Sequence, residues 1–560
     1  MRHSYRRVLT VVVGFIFLFN FKCSFFRDET KSQDTIAERA MVASAHPKAS
    51  SVGIDILKRG GNAVDAALAM AFALSMAEPN ASGIGGGGFM VIKMADSKQA
   101  VMVDYREMAP GKATPEFYYQ TESSFKEYTT EGCNSIGIPG LVSCAEIVLD
   151  RYGSMSIGEI LEPAIKLARE GIVVSEKLHG MIIDNIEKIM KYPSTSTLYF
   201  SDMLPLEIGV VLKNEDLALT FEKVANSGPS VFYEGEIASA IVDEVKEWGG
   251  IMALSDLKSY EAKFRKPVPG TYRGYQIISA APVSGGGTHL IELLNIMEGV
   301  DVKSLGHNSV QFIHLFTEAM KMVYADKAMN TADPDFHTIP LEHFIDKDYA
   351  AKLRNRIHKE KARFDYSPPN LIIKESSDTS HLSVVDEDGN IVALTQSINN
   401  FFGSGIVVSD AGFLLNDHLS DFDALPNRPN SIAPHKRPTS SIAPTIVLKD
   451  DRPFMTLGTP GGTRIISALA QIIMNVIDFG MSMDEAIEAP RVHCLRRQLY
   501  MEGRIDGDVI EILKSMGHPI QVREDYDKYF GGAQGILIHP ETRKLYGGAD
   551  SRRDGVAIGF

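Results

Sequence analysis

The strongest pattern of apolar positions along the chain has helical spacing, with hydrophobic residues recurring three and four positions apart. Shorter stretches with strand-like spacing lie between these blocks, at residues 89–94 and 100–104. The helical pattern covers residues 43–76, 156–192, 308–330, 464–478 and 507–516. Because helices and strands do not alternate regularly, the pattern predicts an α+β fold built in layers and not a doubly wound parallel sheet.

Composition and charge exclude several classes of protein. The chain has 560 residues, of which 44% are hydrophobic and 23% are charged, which is too apolar for an intrinsically disordered protein. Its formal net charge of -14 argues against a nucleic-acid partner, because nucleic-acid binding normally requires a basic face. Length alone predicts roughly three or four domains at about 150 residues each.

The N-terminus has the composition of an export signal. Arg2, Arg6 and Arg7 precede an apolar run over residues 8–21. This run is shorter than the roughly 17–25 residues that a membrane span needs, and it suits the apolar region of a signal peptide. We therefore expect residues 1–30 to be a signal peptide or an N-terminal membrane anchor. The protein would be exported, as a secreted, periplasmic or cell-surface protein.

Cysteine and histidine spacing gives no sign of a metal site. There is no CxxC spacing, and three cysteines are expected to be buried apolar residues without disulfide partners: Cys133, Cys144 and Cys494. His337 and His343 do not form HExxH, and His307 and His314 have no acidic or cysteine partner at ligand spacing. The sequence therefore predicts neither a protein-bound metal nor a cofactor.

Two glycine-rich segments do not match a known catalytic motif. Residues 83–88 formally contain GxGxxG, but they follow a helical pattern and enter a strand pattern. A dinucleotide site needs the opposite order, so we interpret this segment as a tight backbone crossing. The sequence indicates no function for the glycine-rich loop at residues 284–287. GxSxG is absent from the sequence, so an α/β-hydrolase serine is not supported.

A β-hairpin is predicted over residues 378–399. Two stretches with the two-residue periodicity of β-strands flank residues 387–389, and the last of these three residues is glycine. A three-residue loop with a left-handed glycine would place Thr379 opposite Ser397, whereas a two-residue turn would place Ser380 opposite Ser397. The pattern alone leaves both registers open and is typical of an ordinary hairpin.

The stretch from Asp378 through Thr379 to Asp386 resembles the processing site of the γ-glutamyltransferase (glutathione hydrolase) family of N-terminal nucleophile hydrolases. The resemblance extends from about residue 36 to residue 560. Further motifs resemble family signatures in the same order: residues 56–67 (ILKRGGNAVDAA), 104–110 (DYREMAP), 437–441 (RPTSS), 458–464 (GTPGGTR) and 548–552 (GADSR).

The resemblance implies a four-layer αββα sandwich and a precursor that cuts itself before Thr379. A large subunit, residues 31–378, would end at Asp378, and a small catalytic subunit would span residues 379–560; the two would remain a heterodimer. The freed α-amine of Thr379 has a reference pKa of about 7.7–8.0, which suits a general base acting on its own hydroxyl. Ser397, where the family commonly has Thr, would orient Thr379.

The resemblance also assigns side chains to the charges of a γ-glutamyl group. Arg106 would clamp the α-carboxylate through its bidentate guanidinium. Ser440 and Ser441 would donate hydrogen bonds to the same carboxylate. Asn399 and Asp421 would hold the α-ammonium.

Two glycines and one histidine complete the expected site. Gly461 and Gly462 open a predicted helix, so their N–H groups would form an oxyanion hole. His418 stands where relatives usually carry Gln or Glu facing the substrate ammonium, and a cationic histidine would repel that group. Residues 421–437 are short and lack the Tyr of a longer lid loop, which implies a donor site open to larger γ-glutamyl chains.

The function implied is transfer of the γ-glutamyl group of glutathione and related small molecules to water, amino acids or peptides. The acyl group would pass through an ester with Thr379, and no cofactor would be needed. An alternative on the same scaffold is a poly-γ-glutamate depolymerase or a related acylase. An alternative of another class is an unprocessed surface binding protein.

Overall fold

The computed structural model describes residues 34–121, 123–366 and 378–560. The predicted signal peptide or anchor, residues 1–30, lies outside these residues, so export remains a prediction. Within the described part of the chain, no helix is long and apolar enough to cross a bilayer.

Two antiparallel sheets of seven strands each form the centre of the fold. The first sheet has the strand order Thr35–Ala37, Leu545–Ala549, Gln534–Ile538, Arg452–Gly458, Thr445–Lys449, Tyr275–Ser279 and Val268–Tyr272. The second sheet has the order Val556–Gly559, Met41–Ser44, Ser380–Val385, Ile391–Ser397, Gly87–Lys93, Val101–Asp104 and Lys263–Arg265. Smaller sheets are formed by Val492–Leu495, Gln498–Glu502 and Ile520–Arg523, by Ile172–Val173 and Val211–Leu212, and by Phe200–Ser201 and Leu204–Pro205.

Helices cover the outer faces of the sheets and the connections between strands. The α-helices are Pro47–Lys58, Ala63–Ala77, Pro115–Tyr118, Ser124–Thr129, Leu141–Tyr152, Ile157–Glu170, Glu176–Asp184, Ile186–Met190, Pro193–Tyr199, Glu215–Ser227, Ser230–Tyr233, Glu236–Glu247, Leu254–Lys258, Gly286–Glu298, Val302–Leu305, Val310–Asn330, Leu341–Phe344, Lys347–Arg354, Arg464–Ile477, Met483–Glu488 and Gly507–Ser515. Short 3₁₀ helices occur at Cys133–Ser135, His418–Asp421 and Lys528–Phe530.

Three apolar layers hold the sheets and helices together. The layer between the two sheets contains Met41, Ala43, Val91, Ile391, Ala393, Ile446, Leu448, Ile536 and Ile538. The other face of the second sheet packs against helices such as Ala63–Ala77. The other face of the first sheet packs against helices such as Gly286–Glu298 and Arg464–Ile477. The order helix, sheet, sheet, helix confirms the predicted αββα sandwich.

The predicted helical block at residues 43–76 is wrong in its extent. It contains the end of a strand and two helices: Met41–Ser44, Pro47–Lys58 and Ala63–Ala77. Gly60 follows the first helix with a left-handed φ of 93°. Asn62 then caps the second helix, and the Asp65 carboxylate accepts a hydrogen bond from Asn62 N at 2.9 Å. Apolar spacing continues through this break, so periodicity alone does not separate the two helices.

The GxGxxG segment at residues 83–88 is a backbone crossing, as predicted. It connects the helix Ala63–Ala77 to the strand Gly87–Lys93. A Cβ atom at Gly86 would overlap the backbone carbonyl of Ser397. Glycine is required here because another stretch of backbone lies directly against it.

The segment before Thr379 and the segment after it each contribute strands to both sheets. Thr35–Ala37 pairs with Leu545–Ala549 in the first sheet, and Met41–Ser44 pairs with Ser380–Val385 in the second. Asp34 to Phe560 form one compact unit, not the three or four domains that length alone predicts. The boundary between predicted subunits therefore falls inside a single fold.

Candidate active site

The hairpin at the centre of the second sheet has one of the two registers that the sequence allows. Ser380 lies opposite Gln396, and this register, continued by one pair, places Thr379 opposite Ser397. Gly389 in the connecting loop has a φ of 85°, as a three-residue closure requires. The three-residue loop is confirmed, and the pairing of Ser380 with Ser397 is wrong.

Two hydroxyl groups converge on the carbonyl oxygen of Asp378. Thr379 Oγ1 donates a hydrogen bond to this oxygen at 2.5 Å, and Ser397 Oγ donates to it at 2.7 Å. All three residues are buried. Attack on this carbonyl would turn its oxygen into an oxyanion, and the Ser397 hydroxyl is placed to stabilise that charge.

Asn399 fixes the open end of the hairpin. Its backbone carbonyl accepts a hydrogen bond from Asp378 N at 3.0 Å, and its own N–H donates to Ser397 Oγ at 2.7 Å. The Asn399 amide nitrogen donates to the Asp417 carbonyl and the Ser420 hydroxyl. Its Oδ1 is buried with no hydrogen-bond partner among the described residues. An unpaired buried acceptor suits the ammonium ligand that the sequence predicts.

The guanidinium of Arg106 is fully buried and is bound entirely by protein groups. It donates to Asp421 Oδ2 at 2.5 Å, to the Thr439 carbonyl at 3.0 Å, to the Pro438 carbonyl at 3.1 Å and to Glu107 Oε2 at 3.3 Å. The predicted carboxylate clamp and one predicted ammonium ligand, Asp421, therefore lie in contact. Their separate roles toward a substrate stay predictions.

Glu107 was missed by sequence reasoning, although it adjoins Arg106. His418 Nδ1 lies 2.7 Å from Glu107 Oε1 and both side chains are buried, but the two atoms are not aligned as a hydrogen bond. The His418 imidazole thus faces a carboxylate of the protein. The same carboxylate also pairs with Arg106 at 3.3 Å, and the effect of His418 on a substrate ammonium stays a prediction.

Ser440 and Ser441 lie on a loop that packs tightly against the glycine segment at residues 284–287. The Ser440 carbonyl accepts a hydrogen bond from Gly285 N at 3.0 Å. A Cβ atom at Gly286 would overlap the Ser441 carbonyl. The glycine segment, unassigned from sequence, therefore allows the serine loop to approach this closely; the substrate contacts of both serines stay predictions.

Gly461 and Gly462 come directly before the helix Arg464–Ile477, as predicted. They have left-handed φ values of 128° and 56°, and neither N–H donates a hydrogen bond to another described residue. The strand that leads into this loop ends at Gly458, which packs against the His381 ring. Free N–H groups before a helix suit an oxyanion hole, and this role stays a prediction.

A buried charge cluster next to the scissile bond was not predicted. The Asp378 carboxylate forms an ion pair with Arg553, and Arg553 also lies 3.2 Å from Glu78. Ser380 donates a hydrogen bond to Glu78, and Thr379 N donates to Asp378 Oδ1 at 2.9 Å. Only the tertiary fold brings Glu78 next to Arg553. In the sequence, the position of Arg553 directly after the GADSR motif is a signal that could have identified it as a site residue.

One prediction about metal ligands is wrong. His314 has an acidic neighbour at ligand distance, Glu318, and His518 completes a group whose ligand-type atoms lie within 4.8 Å of one another. Residues four apart share one face of a helix, and this spacing places Glu318 beside His314 on the helix Val310–Asn330. These side chains already have partners within the protein. His314 Nδ1 lies 2.8 Å from His518 Nε2, and Lys321 Nζ donates a hydrogen bond to Glu318 Oε1 at 2.6 Å.

The three cysteines of the described chain are free thiols. Cys144 and Cys494 are buried, as predicted, and burial raises the pKa of both. Cys133 is only half-buried and donates to the Trp248 carbonyl at 3.0 Å.

Comparison with known proteins gives results consistent with this geometry. The Glutathione hydrolase proenzyme of Escherichia coli (strain K12) is 38% identical over 542 residues, which cover 94% of this chain and 92% of that protein. The Glutathione hydrolase proenzyme of Bacillus subtilis (strain 168) is 36% identical over 558 residues, covering 95% and 93%. The crystal structure of cephalosporin acylase from Bacillus halodurans superposes with a TM-score of 0.87 at 28% identity, covering 96% of this chain and 99% of that one.

A family model described as Gamma-glutamyltranspeptidase matches residues 49–560. The match includes both sheets almost completely, the hairpin at Thr379 and all the predicted site residues. The chain therefore belongs to the γ-glutamyltranspeptidase family.

Proposed function

We propose that the chain is a γ-glutamyltransferase and glutathione hydrolase that matures by cutting itself between Asp378 and Thr379. The observation that carries this proposal is the convergence of the Thr379 and Ser397 hydroxyls on the Asp378 carbonyl oxygen, at 2.5 and 2.7 Å. The names of the E. coli and B. subtilis relatives, both proenzymes, support the same function.

Maturation would proceed by an acyl shift followed by hydrolysis. Thr379 Oγ1 would bond to the carbonyl carbon of Asp378, the peptide C–N bond would break, and water would hydrolyse the resulting ester. The products would be a large subunit ending at Asp378 and a small subunit of residues 379–560. Because strands of both segments pair within each sheet, the two subunits would remain a heterodimer.

In the mature enzyme the freed α-amine of Thr379 would act as the general base. With a reference pKa of about 7.7–8.0, it would accept the proton of its own hydroxyl as that oxygen attacks the γ-carbonyl of the donor. The N–H groups of Gly461 and Gly462 would stabilise the oxyanion. Water, an amino acid or a peptide would then take the γ-glutamyl group from the ester.

The charged groups around the hairpin suit the α-carboxylate and α-ammonium of a γ-glutamyl donor. Arg106, with Ser440 and Ser441, would bind the carboxylate. The substrate carboxylate would replace the Asp421 carboxylate as the partner of the Arg106 guanidinium. The ammonium would contact the unpaired Asn399 Oδ1 and the released Asp421 carboxylate. The opposite charges on the α-carbon of the donor, each bound by its own protein groups, would thereby fix the γ-carbonyl at Thr379.

A second candidate function is that of an acylase or a poly-γ-glutamate depolymerase. The similarity to cephalosporin acylase over nearly the full length of both chains favours the acylase. An acylase substrate without an α-ammonium would leave Asn399 Oδ1 unpaired, at a cost of about 1–3 kcal/mol. This cost favours γ-glutamyl compounds as substrates.

The proposal is tested by comparing the wild-type chain with Thr379→Ala and Thr379→Ser. On denaturing gels the wild type should give two fragments, and Thr379→Ala should give one uncut band without activity. Thr379→Ser keeps a hydroxyl and should still mature. Release of the γ-glutamyl group should be faster from glutathione than from poly-γ-glutamate, and faster than deacylation of an acyl-cephalosporin. An uncut wild type would support the surface binding protein instead.

Export remains part of the proposal. N-terminal sequencing of the large subunit from cell envelope and medium fractions tests it. A start near residue 31 would support a cleaved signal peptide, and a start at Met1 in the membrane fraction would support an anchor. Full-length protein in the cytoplasm would contradict export.

A further inference from the structure

The short 3₁₀ helix Lys528–Phe530 and the glycines that follow it lie against the predicted oxyanion loop. A Cβ atom at Gly461 would meet the Gly531 Cα at 3.4 Å. Gly532 N donates a hydrogen bond to Thr459 Oγ1 at 3.1 Å. These contacts fix the helix beside the glycines whose N–H groups are expected to stabilise the oxyanion.

The Lys528 side chain extends from this helix toward the chain that holds the scissile residue. Its Nζ lies over the Phe401 ring, 5.7 Å from the ring centre. Phe401 is two residues after Asn399, whose backbone carbonyl accepts a hydrogen bond from Asp378 N. Burial raises the pKa of Asp378, and the positive charge of Lys528 is among the influences that lower it. Lys528 therefore lies between the oxyanion loop and the segment that follows the hairpin.

The Lys528 ammonium is paired with one exposed carboxylate. Its Nζ lies 3.4 Å from Asp184 Oδ2, and the exposed fractions of the two side chains are 51% and 64%. An exposed ion pair contributes little free energy, because water and salt screen both charges. A carboxylate of a bound molecule can therefore replace Asp184 as the partner of Lys528.

The arginines nearest to this helix are held more firmly by the protein. Arg523 pairs with Asp527 at 2.7 Å, and its side chain is 29% exposed. Arg491 pairs with Asp550 at 2.7 Å, and its side chain is only 2% exposed. Lys528 has a longer ion pair and a more exposed side chain than either arginine, so it is the better placed of the three to bind a substrate.

A γ-glutamyl peptide carries a second carboxylate on the far side of the scissile bond. The α-carboxylate of glutathione belongs to the acyl group, and we assign it to Arg106. The leaving group of glutathione is a dipeptide that ends in the glycine carboxylate. An extended dipeptide spans about 7 Å, so its carboxylate reaches from the buried Thr379 to the exposed groups around the site. An acceptor peptide enters where the leaving group departs and places its own carboxylate on the same side.

We infer that Lys528 binds the C-terminal carboxylate of the leaving peptide, and of an acceptor peptide, in a subsite formed with Phe401 and Asp184. The inference rests on the proposed function and narrows its substrate class to γ-glutamyl peptides with a free C-terminal carboxylate. Lys528 takes no part in making or breaking bonds, so the subsite adds specificity to the proposed reaction.

The subsite lies between the two predicted subunits. Asp184 belongs to the large subunit, and Lys528 and Phe401 belong to the small one. In the empty enzyme the Asp184 carboxylate neutralises the lysine, and it competes with the peptide carboxylate for the same ammonium. Removal of the Asp184 charge should therefore strengthen peptide binding, whereas removal of the Lys528 charge should weaken it.

The test compares two donors on the matured heterodimer: glutathione, and glutathione whose glycine carboxylate is replaced by a carboxamide. The donors have the same γ-glutamyl group and nearly the same size, so they differ in the charge of the leaving group. KM of the wild type should be about 3–10-fold lower for glutathione than for its amide, as expected for one partly exposed charged hydrogen bond. High salt should reduce this preference.

Three substitutions should change the preference for the carboxylate in different directions. Lys528→Gln should remove it, and Lys528→Glu should reverse it, because a second carboxylate would repel the peptide terminus. Asp184→Asn should increase it by up to about five-fold, the range of an exposed ion pair. The preference for glycylglycine over glycylglycinamide as acceptor should change in the same order.

Lys514→Gln is the matched control. Lys514 is 48% exposed and pairs with Glu511 at 2.7 Å, on its own helix Gly507–Ser515. This variant removes a lysine of similar exposure from the same subunit, and it should retain the wild-type preference for glutathione over its amide.

Equal KM values of the wild type for glutathione and its amide would overturn the inference and leave the proposed function intact. A Lys528→Gln variant that keeps the full preference would do the same. A matured wild type that releases the γ-glutamyl group from neither donor would overturn the proposed function, and the inference with it.

Discussion

The Ser397 hydroxyl donates a hydrogen bond to the Asp378 carbonyl oxygen at 2.7 Å, across the open end of the central hairpin. This oxygen gains negative charge when Thr379 attacks, so the hydrogen bond strengthens in the transition state. Ser397→Ala should therefore slow self-cleavage about 100–1,000-fold. Ser397→Thr keeps the hydroxyl and should retain most of the rate. Densitometry of precursor and fragments over time measures both.

Ser404→Ala provides the control for this substitution. Ser404 is also buried, and its hydroxyl donates to the Leu415 carbonyl at 2.9 Å without contacting Asp378. Its removal should leave the cleavage rate within a few-fold of wild type. Equal slowing by both substitutions would assign the effect of Ser397 to general loss of packing.

The hairpin illustrates how much of the site can be predicted from sequence. The strands, the loop and the hydroxyl residues are predictable from local patterns, but the register is not. Asp386 closes the loop by accepting Asn390 N at 2.8 Å, and its other oxygen accepts Ala63 N at 2.8 Å. The contact with Ala63 spans 323 residues of sequence, so it has no local signature.

The contacts between charged groups of the site are even less predictable from local sequence than the register of the hairpin. Arg106 was recognisable because its motif resembles the family, whereas the orientation of Glu107 toward His418 depends on the packed interior. Glu78 lies near the start of the chain and Arg553 near its end. Only folding brings their side chains within 3.2 Å of each other. Resemblance identifies which side chains carry chemistry, and the fold determines which of them share charge and protons.

Arg106→Lys should raise KM for a γ-glutamyl anilide about 10–100-fold, equivalent to about 1.4–2.8 kcal/mol of lost binding. A lysine ammonium cannot reproduce the planar set of donors that a carboxylate needs. Self-cleavage should continue, because Arg106 forms no hydrogen bond with Asp378 or Thr379. Steady-state kinetics of the matured variant measures the change.

Arg265→Lys is the control for the loss of an arginine ion pair. Arg265 is largely buried and pairs with Asp104 at 2.7 Å and with Asp335 at 3.1 Å. Its replacement should change stability but leave KM near the wild-type value. An unchanged KM in Arg106→Lys would mean that another group binds the donor carboxylate.

Gly458→Ala should destabilise the protein by about 1–3 kcal/mol, because the added methyl group would overlap the His381 ring. That ring cannot move freely, since Thr395 Oγ1 lies 2.7 Å from Nδ1 and Ser383 Oγ lies 3.0 Å from Nε2. Denaturant unfolding of the variant measures the loss. Gly507→Ala is the control, because a Cβ atom there meets nothing within 4 Å; equal losses in both variants would contradict the overlap.

γ-Glutamyl transfer should become faster as the pH rises from 6 to 8. Transfer needs the Thr379 α-amine without its extra proton, and the reference pKa of an α-amine is about 7.7–8.0, so kcat/KM should rise over this range. Initial rates of the purified heterodimer with a γ-glutamyl anilide measure the profile. A kcat/KM that stays constant between pH 6 and 8 would contradict the Thr379 α-amine as the general base.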